Sequence, residues 1–146
     1  MTVDKYAAIR LKNQMCFPLY ACSKEIVRRY KPYLDELNLT YTQYIAMMVL
    51  WETKEVTVTE LGRELYLDSG TLTPLLKKLE QKGYVSRARM ESDERNVCIS
   101  ITDKGDALKD EAAKVPEKMK GCMVLDSEES RVLYSILHKM LDQFSE

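Results

Sequence analysis

A chain of 146 residues that is 45% hydrophobic and 31% charged, with five glycines and four prolines, has the length of one domain and the make-up of a helix-rich globule, not a disordered chain. Its net charge of −1 gives no global electrostatic argument for nucleic acid, so any such case rests on local residues. Asp4, Lys5 and Arg10 stand where a signal peptide would be turning apolar, and the longest apolar run, 45–51, is too short for a bilayer, so a cytoplasmic location is expected.

In chain order, Leu11, Met15, Leu19, Cys22 and Ile26 recur at the spacing of an amphipathic helix that continues toward Arg29. Pro18 either bends this helix or marks where a short first segment ends. Met15, Phe17, Leu19 and Ala21 leave its first half without a polar face, as in a helix buried on several sides, and a chain this short points to a subunit interface. Pro32 is expected to break it. Thr40 and Gln43 then form a capping box for a second helix, 41–52, so continuously apolar that it is central, with Met47, Met48 and Trp51 in the core.

Thr57 and Glu60 make a second capping box. The next helix begins at 68–70 and runs to Gly83, a natural C-cap, with Leu72, Leu75, Leu76 and Leu79 on one face. Gly70, Pro74, Lys77 and Lys78 project roughly opposite. Pro74 predicts a tight or irregular first turn, because it costs a hydrogen bond if Ser69 is the cap and none if Thr71 is. Residues 84–90 and 96–102 read as a β-hairpin with a charged tip, and Val97, Ile99 and Ile101 alternate along its second strand. Two long helices finish the chain, about 103–120 and 127–144, the latter opened by Asp126, Glu128 and Glu129.

The chain has four cysteines, no C-x-x-C and a single histidine, His138, so neither a disulfide framework nor a zinc site is expected, and no cofactor or other metal is implied. The thiols are structural or redox-active. Cys22 lies on the apolar stripe and reads as a small core hydrophobe, whereas Cys16 is rotated about 100° off it and stands one turn from Tyr20. Cys98 reads as inert on the hairpin, Cys122 as an exposed thiol after Gly121, and His138 as a surface or interface side chain.

Two helices, a recognition-type helix and a hairpin, in that order, make a winged helix-turn-helix, whose second motif helix enters the major groove of double-stranded DNA. Ser69, Thr71 and Thr73 lie at its N-terminal end, suited to bases or phosphates, and Lys77 and Lys78 can reach the backbone. Arg95 at the hairpin tip, flanked by Asp93, is a candidate for a narrow minor groove. Charged faces and hairpin tips are also what solvent selects.

The run from Asp93 and Arg95 through Ile101, Thr102 and Gly105, preceded by LEQKGYV, resembles the MarR family of bacterial transcription regulators. The resemblance implies a mainly α fold with a small β-hairpin: a winged helix-turn-helix core at about 41–102 within a single domain over 1–146. It also implies a homodimer joined through about 1–36 and 103–146, and a pseudo-palindromic operator. LKNQMCFPLYACS, YKPYLDELNLTYTQY and YLDSGTLTPLLKKLEQKG are similar to the OhrR branch, repressors that sense organic hydroperoxides.

What this implies is a reactive Cys16, with Tyr20, Tyr30 and Tyr41 around it, some from across the dimer. Two-cysteine members also carry a resolving thiol in the region of Cys122, which pairs with the reactive cysteine of the other subunit, while one-cysteine members use small cellular thiols. The chemistry suits those residue types: the thiolate is what attacks a peroxide, and a hydrogen bond to a charged group is worth roughly 1.5–3 kcal/mol. Oxidation gives a sulfenic acid that condenses with another thiol. Two rivals remain open: a MarR-type repressor controlled by a small aromatic ligand, and a thiol peroxidase. The latter is disfavoured because no basic residue neighbours Cys16 closely, so no enzymatic turnover is expected.

Overall fold

The computed structural model describes residues 3–90 and 93–145, with side chains outside positions 90 and 93–96. Two 3₁₀ turns, Ala7–Ile9 and Leu11–Asn13, lead into α1, Cys16–Asp35. Pro18 falls in the first turn of α1, where its missing N–H has no helical acceptor to lose, so it helps to start the helix and does not bend it. Pro32 does not break the helix. It removes one internal bond, but Leu34 is 1% exposed, and its carbonyl accepts the N–H groups of Leu37 and Leu39, each at 3.0 Å. Burial of that last turn outweighs the lost bond.

Both predicted capping boxes are present. Thr40 with Gln43 opens α2, Tyr41–Thr53, and Thr57 with Glu60 opens α3, Val58–Leu65. The next helix, α4, Ser69–Gln81, is capped by neither Ser69 nor Thr71: Asp68 Oδ1 accepts the N–H of Thr71 at 2.7 Å. Pro74 therefore lies inside the helix, and the Gly70 carbonyl that it leaves without a helical donor belongs to an exposed residue open to water. Gly83, at φ +81°, closes α4: its N–H donates to Glu80 and that of Tyr84 to Leu79, the paired bonds of a Schellman motif.

The predicted hairpin is β2, Val85–Met90, against β3, Asp93–Ile101, and a third strand is added to it. Residues Glu55–Thr57 form β1, which pairs antiparallel with β3 so that Val56 faces Ile99, giving the order β1-β3-β2.

The expected helix over 103–120 is three short ones: α5, Asp103–Ala107; α6, Lys109–Ala112; and α7, Val115–Lys118. Pro116 in the first turn of α7 has no N–H to continue α6. Gly105 is drawn against the wing, where its carbonyl accepts the indole N–H of Trp51 at 3.0 Å. The last helix, α8, Ser127–Phe144, has its Asp126–Glu129 capping box.

The buried core surrounds α2 and α4, joining Tyr44, Met47 and Leu50 to Leu72, Leu76, Leu79 and Ile99. By contrast α8 buries no residue and α1 only Leu34. Met48, expected in the core, is 41% exposed. An unbroken apolar run conceals its own helical phase.

Candidate nucleic-acid interface and thiol site

With Leu72, Leu75, Leu76 and Leu79 all buried, the helical period leaves Ser69, Thr71, Thr73, Lys77 and Lys78 exposed on the other face of α4, as the sequence predicts. The hydroxyl of Thr73 donates to the Ser69 carbonyl at 2.8 Å, so its proton is already committed within the helix. The Asp68 carboxyl is held below its ordinary range, chiefly by the backbone N–H of Thr71, and so caps α4 as an anion.

Two features escaped the sequence. Thr42, at the start of α2, rims a groove of about 230 Å³ with Thr40, Thr71, Pro74 and Lys78, which brings a second helix N-terminus beside α4. Its signal was the capping box at Thr40. Arg89 is exposed on β2, whereas Arg87 is half-buried and lies 3.7 Å from Glu80. Asp93 and Arg95 belong to β3, but their side chains lie outside the described residues.

The thiol residues fall into two groups within a protomer. Cys16 is the first residue of α1 and is exposed, and Tyr20, one turn on, is 63% exposed with its ring 5.6 Å from Lys24 Nζ. Tyr30 and Tyr41 are not beside it: Tyr30 sits fourteen residues further along α1, about 21 Å along the axis. Tyr30, Tyr41 and Tyr44 form a cluster with ring centroids 5.1, 5.9 and 6.4 Å apart.

Burial raises the pKa of all three, Tyr44 to about 12. Neighbouring groups add to the shift: Cys122 for Tyr30, Tyr30 for Tyr41, and both Tyr30 and Tyr41 for Tyr44. They remain O–H donors at neutral pH. A single protomer thus sets Tyr30 near Cys122 and packs Tyr41 on Tyr30, away from Cys16.

Cys122 is half-buried, with Sγ 3.8 Å from Met119 Sδ, where exposure was expected. Cys22 is exposed, where core burial was expected. It lines a groove of about 350 Å³ together with Cys122. Cys98 is half-buried on β3 opposite Ala88 and Thr57. His138 is exposed, its ring 3.9 Å from that of Tyr134. Among the described residues no group of three or more His, Cys, Asp or Glu side chains could hold a metal ion, and no helix is long and apolar enough to cross a membrane.

Two hydrogen-bonded links tie the α1–α2 turn to the end of α4. Lys82 Nζ donates to the Asn38 carbonyl at 2.7 Å and to Gln43 Oε1 at 2.9 Å, and Tyr84 donates its hydroxyl to the Leu37 carbonyl at 3.2 Å. Burial, with Lys78 nearby, lowers the pKa of Lys82.

A helix-turn-helix of α3 and α4, a wing of β2 and β3, and flanking helices with bare apolar faces define a winged-helix regulator. The chain belongs to the MarR family of transcriptional regulators. Residues 28–112 match the family model described as transcriptional regulator SarA/Rot. The chain is 47% identical over 139 residues, 95% of each chain, to the organic hydroperoxide resistance transcriptional regulator of Bacillus subtilis strain 168. It also resembles the solved structure of reduced AbfR bound to DNA, at 34% identity, 97% and 99% coverage and a TM-score of 0.78. For disulfide-formed AbfR the values are 34%, 97% of each chain and 0.69.

Proposed function

We propose that this protein is a homodimeric DNA-binding repressor that releases its operator when Cys16 is oxidised by an organic hydroperoxide. The observation that carries the reading is the identity with the B. subtilis hydroperoxide regulator across nearly the whole of both chains. The redox forms of AbfR support it, one reduced and bound to DNA, another with its disulfide formed.

The dimer rests on bare apolar surface. Met15 at the N-cap of α1, Phe17 and Leu19 of α1, and Val132, Tyr134, Ile136, Met140 and Phe144 of α8 are all at least one-third exposed, and burying such surface is worth about 25 cal/mol per Å². A second copy is the natural cover. Such a dimer would let Tyr30 and Tyr41 of one subunit approach Cys16 of the other, which their own Cys16 is too distant to allow.

In the reaction, the Cys16 thiolate attacks the distal oxygen of the peroxide. An S–O bond forms, the O–O bond breaks, and an alcohol leaves after protonation. The sulfenic acid then condenses with a second thiol, either Cys122 of the partner subunit or a small cellular thiol, and water leaves. Because Lys82 and Tyr84 bind the α1–α2 turn to the end of α4, displacement of α1 carries the recognition helix with it. The two recognition helices then no longer match half-sites about 10 base pairs apart. Ser69, Thr71, Thr73, Lys77 and Lys78, with Asp93 and Arg95 on the wing, make the DNA contacts in this reading.

A gel shift on the protein's own upstream DNA tests it, with and without an organic hydroperoxide and then a reductant. Wild type should release DNA and rebind it after reduction, whereas Cys16→Ser should stay bound throughout. Release of Cys16→Ser by the peroxide would overturn the assignment.

A further inference from the structure

Cys22, Glu25, Ile26 and Arg29 occupy positions i, i+3, i+4 and i+7 of α1, a single helical face, and all four line one groove. The opposite wall is the segment from Cys122 to Leu125, closed by Leu133 of α8. Gly121, at φ +86°, makes the left-handed turn after α7 that precedes this segment. Cys16 does not line the groove; its helical phase points elsewhere. Within one protomer the two thiols that line this groove are therefore Cys22 and Cys122.

We infer that Cys22 and Cys122 are a second redox pair, an intraprotomer dithiol that closes to a disulfide on oxidation by an organic hydroperoxide. The groove suits that oxidant class: Ile26, Met123, Val124, Leu125 and Leu133 make it largely apolar, and its volume is that of a small-molecule site. One thiolate attacks the peroxide, forming an S–O bond as the O–O bond breaks and an alcohol is released. The other thiolate attacks that sulfur, and hydroxide leaves to become water. Two thiols and one hydroperoxide become one disulfide, one alcohol and one water. A closed pair withholds Cys122 from any thiol of the second subunit, so the two disulfides exclude each other. This goes beyond the sensing role of Cys16 and needs no reaction at that residue.

The test uses the full chain with Cys16→Ser and Cys98→Ser, leaving only Cys22 and Cys122. The protein is treated with cumene hydroperoxide, remaining thiols are alkylated, and the product is run on a non-reducing gel and digested with trypsin. The expected result is a monomer-sized band, loss of both alkylatable thiols, and a linked peptide pair, 13–24 with 121–131, that dithiothreitol separates. Two thiols that remain alkylatable would overturn the proposal, as would a linkage found only in a dimer-sized band. Should the double variant fold poorly, wild type and Cys22→Ser give the same answer. The 13–24 to 121–131 linkage in the monomer band should appear in the first and vanish in the second; its persistence in Cys22→Ser would assign it to Cys16 and overturn the pairing. Failure of the Cys16 reading would show in the DNA-release assay and leave this result untouched.

Discussion

Cys16 and Tyr30 stand on the same helix about 21 Å apart along its axis, while Tyr30 packs at 5.1 Å on Tyr41 near Cys122. If Tyr30 supports the reactive thiol, it does so across the dimer. Tyr30→Phe keeps the ring in its cluster and removes one O–H donor, so oxidation of Cys16 should slow about 10- to 100-fold, the equivalent of roughly 1.5–3 kcal/mol. Mixed dimers of Tyr30→Phe with Cys16→Ser should retain one fast site, made of Cys16 from one subunit and Tyr30 from the other. Sulfenic-acid trapping rates measure both, and a uniformly slow mixed dimer would contradict the shared site.

Gly105 is the tightest point of contact between the wing and the chain that leaves it. A Cβ there would lie 2.2 Å from the Tyr84 carbonyl oxygen, a backbone atom that cannot step aside. Gly105→Ala should cost about 3 kcal/mol or more, lowering the melting temperature by roughly 6–12 °C. The same residue accepts the Trp51 indole N–H, so tryptophan fluorescence should report the displacement.

What the sequence made legible was local. Thr40 with Gln43, Thr57 with Glu60 and Asp126 with Glu129 each satisfy backbone donors within four residues, so their spacing alone announces a helix start. The strand Glu55–Thr57 is three residues long, and its partners lie more than forty residues away, so no periodicity announces it. Cys22 shows a different limit. Its place on an apolar stripe says that the face is covered, and only the folded protomer shows it exposed along a groove that it shares with Cys122. Pro32 was misread because the burial of Leu34, a tertiary fact, holds a turn that local rules would end.

Asp68 makes the cap of α4 sensitive to acid. Its carboxyl titrates below the ordinary 3.8, chiefly because it accepts the N–H of Thr71. A pKa lowered in the folded state means that its stabilisation is complete above the unfolded value and fades as pH falls through the folded one. The urea midpoint should therefore fall on acidification from about pH 5 to about pH 3 in wild type, and less steeply in Asp68→Asn, which still caps but does not titrate. Equal acid sensitivity in the two proteins would show that other carboxylates set the profile.

Lys77 and Lys78 share the exposed face of α4, and Lys78 also rims the groove with Thr40 and Thr42. A lysine on a phosphate positions the protein without reading sequence, and each such contact contributes close to one unit to the slope of log affinity against log salt. Lys78→Ala should therefore weaken operator and non-specific DNA by similar factors and reduce that slope by about one unit. Thr71→Ala should act differently, weakening operator more than non-specific DNA and leaving the slope intact, if its hydroxyl meets a base edge. For Thr73→Ala the specific loss should be smaller than for Thr71→Ala, because the Thr73 proton is already given to the Ser69 carbonyl at 2.8 Å and its oxygen is left only to accept. Titrations of the three variants at several salt concentrations separate these outcomes. A changed slope for Thr71→Ala with unchanged discrimination would move that residue from the bases to the phosphates.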